Sequence, residues 1–145
     1  MRRGAPQPAR ETQGSSSPAD EIVELSLTGM APTGEAIGRP SAGAHAGRVV
    51  FVPFGLPGEE VRVRLVERKR NFARGEIVAR NADGPARVAP ACPYFGRCGG
   101  CDWQHIAYTE QLRIKTSIVA EQLERFGKLA APPVLPCIGS LAAYE

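Results

Sequence analysis

The sequence predicts a mainly β protein with one α-helix: a small OB-like β-barrel, then a cysteine-cluster loop, then a long amphipathic helix. Three observations carry this. Residues 21–82 show apolar–polar alternation in short runs broken by Gly and Pro, as closely spaced strands do. "CPYFGRCGGC" packs three of the four cysteines into ten positions. "YTEQLRIKTSIVAEQLERFGKL" is the single stretch with a helical period.

The elements run in order. Residues 1–20 are rich in Pro, Ser and Gly and hold no Leu, Ile, Val or aromatic side chain, so a disordered tail is expected. No apolar segment comes after Arg2 and Arg3, as a secretory leader would require, and no run approaches the roughly 18 apolar residues of a membrane span. A cytoplasmic protein with reduced thiols is therefore expected, and clustered thiols there more often hold metal than pair as disulfides.

"EIVELSLTGM" places Val23, Leu25 and Leu27 on one face of a half-buried strand, and "APTGEAIG" continues as a turn and a short irregular strand. "RVVFVPF" is dense in β-branched and aromatic residues and reads as a strand. Pro57-Gly58 suits a type II turn, since Pro fixes φ at the first central position and Gly permits positive φ at the second. In "VRVRLVERKRNFARGEIVAR", Val61, Val63 and Leu65 alternate with Arg62, Arg64 and Val66, and "KRN" is the tip of a hairpin. Strands this short and this numerous fit a small barrel of OB or SH3 type over 21–82.

The net charge of +3 is modest, but its distribution is not. Between positions 61 and 80 seven basic residues face two acidic ones. Arg62, Arg64, Arg68, Lys69, Arg70 and Arg74, with Phe72 among them, form a candidate single-stranded RNA platform in which charges follow phosphates and a ring stacks on a base. The same residues also suit a solvated edge strand, and Phe72 also suits a core position.

Cys92, Cys98 and Cys101 are spaced C-x5-C-x2-C, with Gly99 and Gly100 between the last two. Thiolates at such spacing hold either an iron–sulfur cluster or zinc, and His105 or Cys137 could complete a zinc site. Trp103 suits packing against the loop or stacking on a base. The helix is expected over 106–128. Its apolar stripe is Leu112, Thr116, Val119, Leu123 and Phe126, its N-cap Thr109, and Gly127 sits at C′. Arg113, Lys115 and Arg125 lie off that stripe, as a solvated face or as part of a basic surface. "AAPPVLP" then begins a linker, 129–145.

"GEAIGR…GRVVFVPFGLPGEEVRVRLVERKRNFARGEIV" resembles a TRAM domain, a small RNA-binding barrel. The continuation resembles the S-adenosylmethionine-dependent RNA (uracil-5-)-methyltransferases. It carries R-V-x-P-x-C-P-x-F-x-x-C-G-G-C from Arg87, then Gln104-His105, then Tyr108, Gln111, Leu112 and Lys115. The resemblance covers about residues 21–130. It implies a [4Fe-4S] cluster on Cys92, Cys98 and Cys101, with a fourth ligand beyond this sequence. It implies an RNA substrate, rRNA rather than tRNA, for a monomeric enzyme. It also implies an N-terminal fragment, with the Rossmann-like catalytic domain and its S-adenosylmethionine absent and 129–145 leading toward them. The alternatives are a stand-alone RNA-binding module and a zinc-stabilised nucleic-acid binder.

Overall fold

Alternation in two nine-residue runs does most of the work of closing the barrel. In β1 (Ile22–Met30) it points Leu25 and Leu27 inward, and in β4 (Glu60–Arg68) it does the same for Val61, Val63 and Leu65. The two runs pair antiparallel, Leu25 opposite Val61, so their apolar faces meet one interior. The computed structural model describes residues 21–141, and the expected tail 1–20 and the last four residues lie outside them. Between and after these strands come β2 (Ala36–Gly38), β3 (Val49–Val52), β5 (Phe72–Ala82) and α1 (Tyr108–Arg125).

The five strands close in the order β1-β2-β3-β5-β4, with β3 and β5 parallel and every other pair antiparallel. Of the two expected barrel types this is the OB order. Val50, Val52, Val63, Leu65 and Ala73 in the core have no exposure to water. The turn at Pro57-Gly58 forms as expected: Gly58 has φ +89° and the Glu59 N–H donates to Leu56 O at 3.2 Å. The β4–β5 hairpin turns over Lys69–Asn71, closed by Lys69 N–H to Phe72 O at 2.8 Å. The expected third strand stops at Val52, because Phe54 takes a left-handed φ of 60° and turns the chain.

A buried ion pair ties the barrel to the cysteine segment. Glu59 has no exposed surface, and Arg87 grips its carboxylate with Nε and with Nη2 at 2.9 Å. The same carboxylate accepts from Leu56 N–H at 3.0 Å and Gly84 N–H at 3.3 Å, while Arg87 Nη2 also donates to Phe54 O at 2.8 Å. Arg87 bridges to Ile106, and hydrogen bonds from Val88 N–H to His105 O and from Ala107 N–H to Ala86 O extend that stem. The cysteine segment is thus a loop hung from a two-stranded stem rather than a separate unit.

The helix is shorter than the expected 106–128, and it turns a different face inward. Ala107, not Thr109, is its N-cap; it makes no side-chain cap, and Thr109 is exposed inside the first turn. Gln111 and Ile114 are buried and Ile118 packs on the core, whereas Val119, Leu123 and Phe126 of the expected stripe are exposed. The reason is Gln111: its amide donates to Trp103 O at 3.0 Å and Ile106 O at 2.9 Å, so a polar residue anchors the inward face. The left-handed residue after the helix is Lys128 (φ 55°) rather than Gly127, where a Cβ would stand 2.6 Å from Leu123 O. Residues 129–141 are extended along α1, Cys137 N–H donating to Thr116 Oγ1 and Ser140 N–H to Tyr108 Oη. Among the described residues no helix is long and apolar enough to cross a membrane.

Arg87→Ala would leave buried Glu59 with only Arg80 near its charge, at 3.9 Å, so the change is expected to cost about 3 kcal/mol in urea unfolding. Burial pushes the Glu59 carboxyl up, but Arg87 and the two backbone N–H donors outweigh it and hold it below its ordinary value of 4.5. A depressed folded-state value means the contribution is complete above pH 4.5 and is lost as pH falls below it. Arg87→Ala should therefore flatten the acid limb of the stability profile as well as lower its plateau.

Candidate nucleic-acid interface and cysteine loop

Outward residues on the β2–β3–β5 side of the barrel build one cleft. In β3 the buried Val50 and Val52 alternate with half-buried Val49 and Phe51, which face out. Parallel pairing sets Phe51 opposite Arg74 and Val49 opposite Phe72. The two rings meet edge to face with centroids 5.7 Å apart. The Arg74 guanidinium lies 5.9 Å from the Phe51 centroid and 5.8 Å from that of Phe72, within cation–π range. Arg39, Arg125, Asn71 and Pro32 join Phe51 and Phe72 around a cleft of about 350 Å³. Strands 2 and 3, with the loops before β2 and between β4 and β5, are where OB barrels take oligonucleotides.

The seven residues expected to touch RNA do not all gather there. Phe72 and Arg74 do, and Lys69 and Arg70 stand at the adjoining hairpin tip. Arg62 and Arg64 are exposed on β4, which lies on the far side of β5 from β3. Much of the charge is partnered: Arg64 with Glu76 at 3.1 Å, and Arg68 with Glu21, Lys69 with Glu67 and Arg74 with Glu35 at 3.3 Å each. Pairs this exposed contribute about 0–1 kcal/mol, little enough for a phosphate to displace them. Arg62 and Arg70 make no ion pair among the described residues. Sequence reasoning missed Phe51 and Arg39. The first was hidden in an apolar run, although its alternation with Val50 and Val52 marked it as outward.

The cysteine loop is held by buried residues at its base. Gln104 accepts from the Cys92 N–H at 2.9 Å, joining the start of the loop to its end. His105 is buried against Phe54 and Phe95, with ring centroids 6.2 and 5.5 Å away, and its Nε2 is 3.3 Å from Gly55 O. Cys98 and Cys101 are exposed and Cys92 half-buried; all are free thiols. Tight turns carry them: Phe95 N–H donates to Cys92 O, Cys98 N–H to Tyr94 O, and Gly96 and Gly99 have positive φ. As donors, three accessible thiols suit iron–sulfur or zinc chemistry. Among the described residues, however, no three His, Cys, Asp or Glu side chains are gathered closely enough to hold a metal ion. His105 serves the packing of the stem, and Cys137 lies along α1.

An OB-ordered barrel with an aromatic and basic cleft belongs to the class of small barrels that take oligonucleotides or oligosaccharides. More particularly, residues 21–78 match the TRAM domain family. The chain is also similar to curated RNA methyltransferases. It is 40% identical over 118 residues to an uncharacterized RNA methyltransferase of Nitratidesulfovibrio vulgaris, covering 81% of this chain and 24% of that protein. A second, from Nostoc sp., is 41% identical over 118 residues, covering 81% and 25%. A 23S rRNA (uracil(1939)-C(5))-methyltransferase RlmD of Shewanella amazonensis is 43% identical over 81 residues, covering 56% and 18%. The chain spans about a quarter of the length of the first of these relatives.

Burial, foremost, and the positive charge of Arg87 hold the His105 imidazole below its ordinary value of 6.5, against the opposing hydrogen bond to Gly55. The ring should thus be less protonated at pH 6.5 than a free imidazole, which is half protonated there, as ring-nitrogen NMR shifts will show. The folded state then loses stability as pH falls below 6.5, because the unfolded chain takes up that proton first.

Proposed function

We propose that this chain is the RNA-gripping and iron–sulfur portion of an S-adenosylmethionine-dependent RNA uracil-C5-methyltransferase acting in the cytoplasm on rRNA. The observation that carries the reading is the cleft built by Phe51, Phe72, Arg39 and Arg125 on a TRAM barrel joined directly to a three-cysteine loop. The relatives named as RNA methyltransferases support the enzyme class, and the one named for uracil-C5 of 23S rRNA supports the base and the RNA. The described residues comprise a barrel, a loop and a helix, so methyl transfer belongs to groups outside this chain.

Within that enzyme each part has a physical task. The aromatic pair offers faces on which unstacked bases rest, and the arginines take the phosphates between them. Cys92, Cys98 and Cys101 would supply three thiolates to a [4Fe-4S] cluster. When bound, the cluster brings a rigid, multiply liganded anchor to an otherwise turn-rich loop. Zinc on the same thiolates is the competing occupant.

Two measurements test this. Chain purified and reconstituted without oxygen is expected to absorb broadly near roughly 400 nm, with iron and sulfide in proportion, and Cys98→Ser should abolish the band. A colourless protein with stoichiometric zinc would establish the competitor instead. For RNA, Arg39→Glu with Arg70→Glu is the informative pair, since Arg39 lines the cleft and Arg70 stands at the adjoining hairpin tip without an ion pair among the described residues. The pair should weaken binding of single-stranded RNA at least tenfold and reduce the slope of log affinity against log salt by about 1.5–3, counting the charge reversal. An unchanged slope removes the cleft from the interface.

A further inference from the structure

A second cleft opens on the other side of Pro32. It has a volume of about 320 Å³ and is lined by Gly34, Asp102, Trp103, Gln111 and Lys115. Pro32 borders both clefts, and α1 runs beside both, with Arg125 at the first and Lys115 at the second. Ten residues of helix separate these two cations, about 15 Å along the axis. One strand of RNA leaving the barrel face past Pro32 therefore meets this cleft next.

The lining differs from that of the first cleft in kind. Arg39 and Arg125 make the barrel cleft cationic, whereas here one ammonium is matched by one carboxylate. That is poor chemistry for a phosphate and good chemistry for a base. An aromatic ring can stack, a carboxylate can accept from an exocyclic amino group, and Lys115 stands at the rim for the adjoining backbone. The indole is fixed before any ligand arrives. Trp103 Nε1 donates to Gly34 O at 2.9 Å, and Gly34, with φ +91°, leaves the indole its seat, since a Cβ there would stand 3.1 Å from Nε1. Trp103 packs partly on the core and stays half-buried, so the rest of the side chain lines the cleft.

We propose that this cleft is a base subsite, stacking on Trp103 an unpaired nucleobase that carries an exocyclic amino group and accepting that group's hydrogen bond on Asp102. The proposal rests on the RNA-binding function proposed for the barrel and extends it to the junction of barrel, loop and helix.

Trp103 is the only tryptophan of the chain, so its fluorescence reports on this site alone. The full chain is titrated with labelled single-stranded oligo(C), oligo(A) and oligo(U), reading RNA anisotropy and Trp103 emission together. Binding of oligo(C) and oligo(A) is expected to quench the emission. Trp103→Leu should weaken binding of these two about tenfold and Trp103→Phe much less. Asp102→Asn should narrow the preference for oligo(C) and oligo(A) over oligo(U). Asp102 is exposed, so that variant keeps its fold and the test survives if Trp103→Leu unfolds. Anisotropy that rises while Trp103 emission and the Asp102→Asn preference stay unchanged overturns the subsite and leaves the RNA-binding function standing. Anisotropy that does not rise with any oligomer overturns both.

Discussion

Glu59 is a carboxylate with no access to water, placed in the loop between β3 and β4. Such a group is tolerable only if its charge is matched and its lone pairs filled, and here the matching groups come from three separate stretches of chain. Leu56 supplies an N–H from the preceding turn, Gly84 an N–H from just after β5, and Arg87 a two-nitrogen grip from the stem of the cysteine loop. The Phe54 carbonyl then takes the remaining reach of Arg87. The pair thereby fixes the direction in which the chain leaves the barrel, a direction that the His105–Gly55 and Trp103–Gly34 contacts then reinforce. The positions of the loop, of His105 and of α1 all depend on that exit.

The functional surface is correspondingly composite. Phe51 and Phe72 come from strands that are not consecutive and meet only through the parallel β3–β5 pairing. Arg39 comes just after β2, and Arg125 ends a helix that begins beyond the cysteine loop. The balance of charge is composite too. The hairpin's excess of basic residues, so marked in the linear sequence, is largely met by carboxylates from just before β1, from the loop before β2 and from the hairpin itself. The surface that results is less cationic and more aromatic than a count of arginines suggests.

That contrast shows what could be read from the sequence. Alternation fixes which way a side chain points, and so Leu25, Leu27, Val61, Val63 and Leu65 were legible as core and Arg62 and Arg64 as outward. The Pro57-Gly58 turn was legible because only a few backbone shapes suit that pair. The inward face of α1 was not, because it depends on Gln111 filling two backbone carbonyls that the sequence does not show to be empty. For the same reason Gln104 and His105 were visible as a motif but not as the residues that pin the loop. The three thiols were legible as a donor set. The turns that carry them, through the Tyr94 carbonyl and the positive φ of Gly96 and Gly99, were not.

The parallel pairing of β3 with β5 carries a kinetic consequence. The β4–β5 hairpin closes over three residues and costs little loop entropy, so it can form early. The β3–β5 and β1–β4 pairings join distant parts of the chain and must wait for it. Phe51 and Phe72 become neighbours only at that late step, so the cleft they line appears with barrel closure and vanishes with its opening. A ligand held there binds the closed state alone, and by mass action it acts as a latch on the slowest-formed part of the fold.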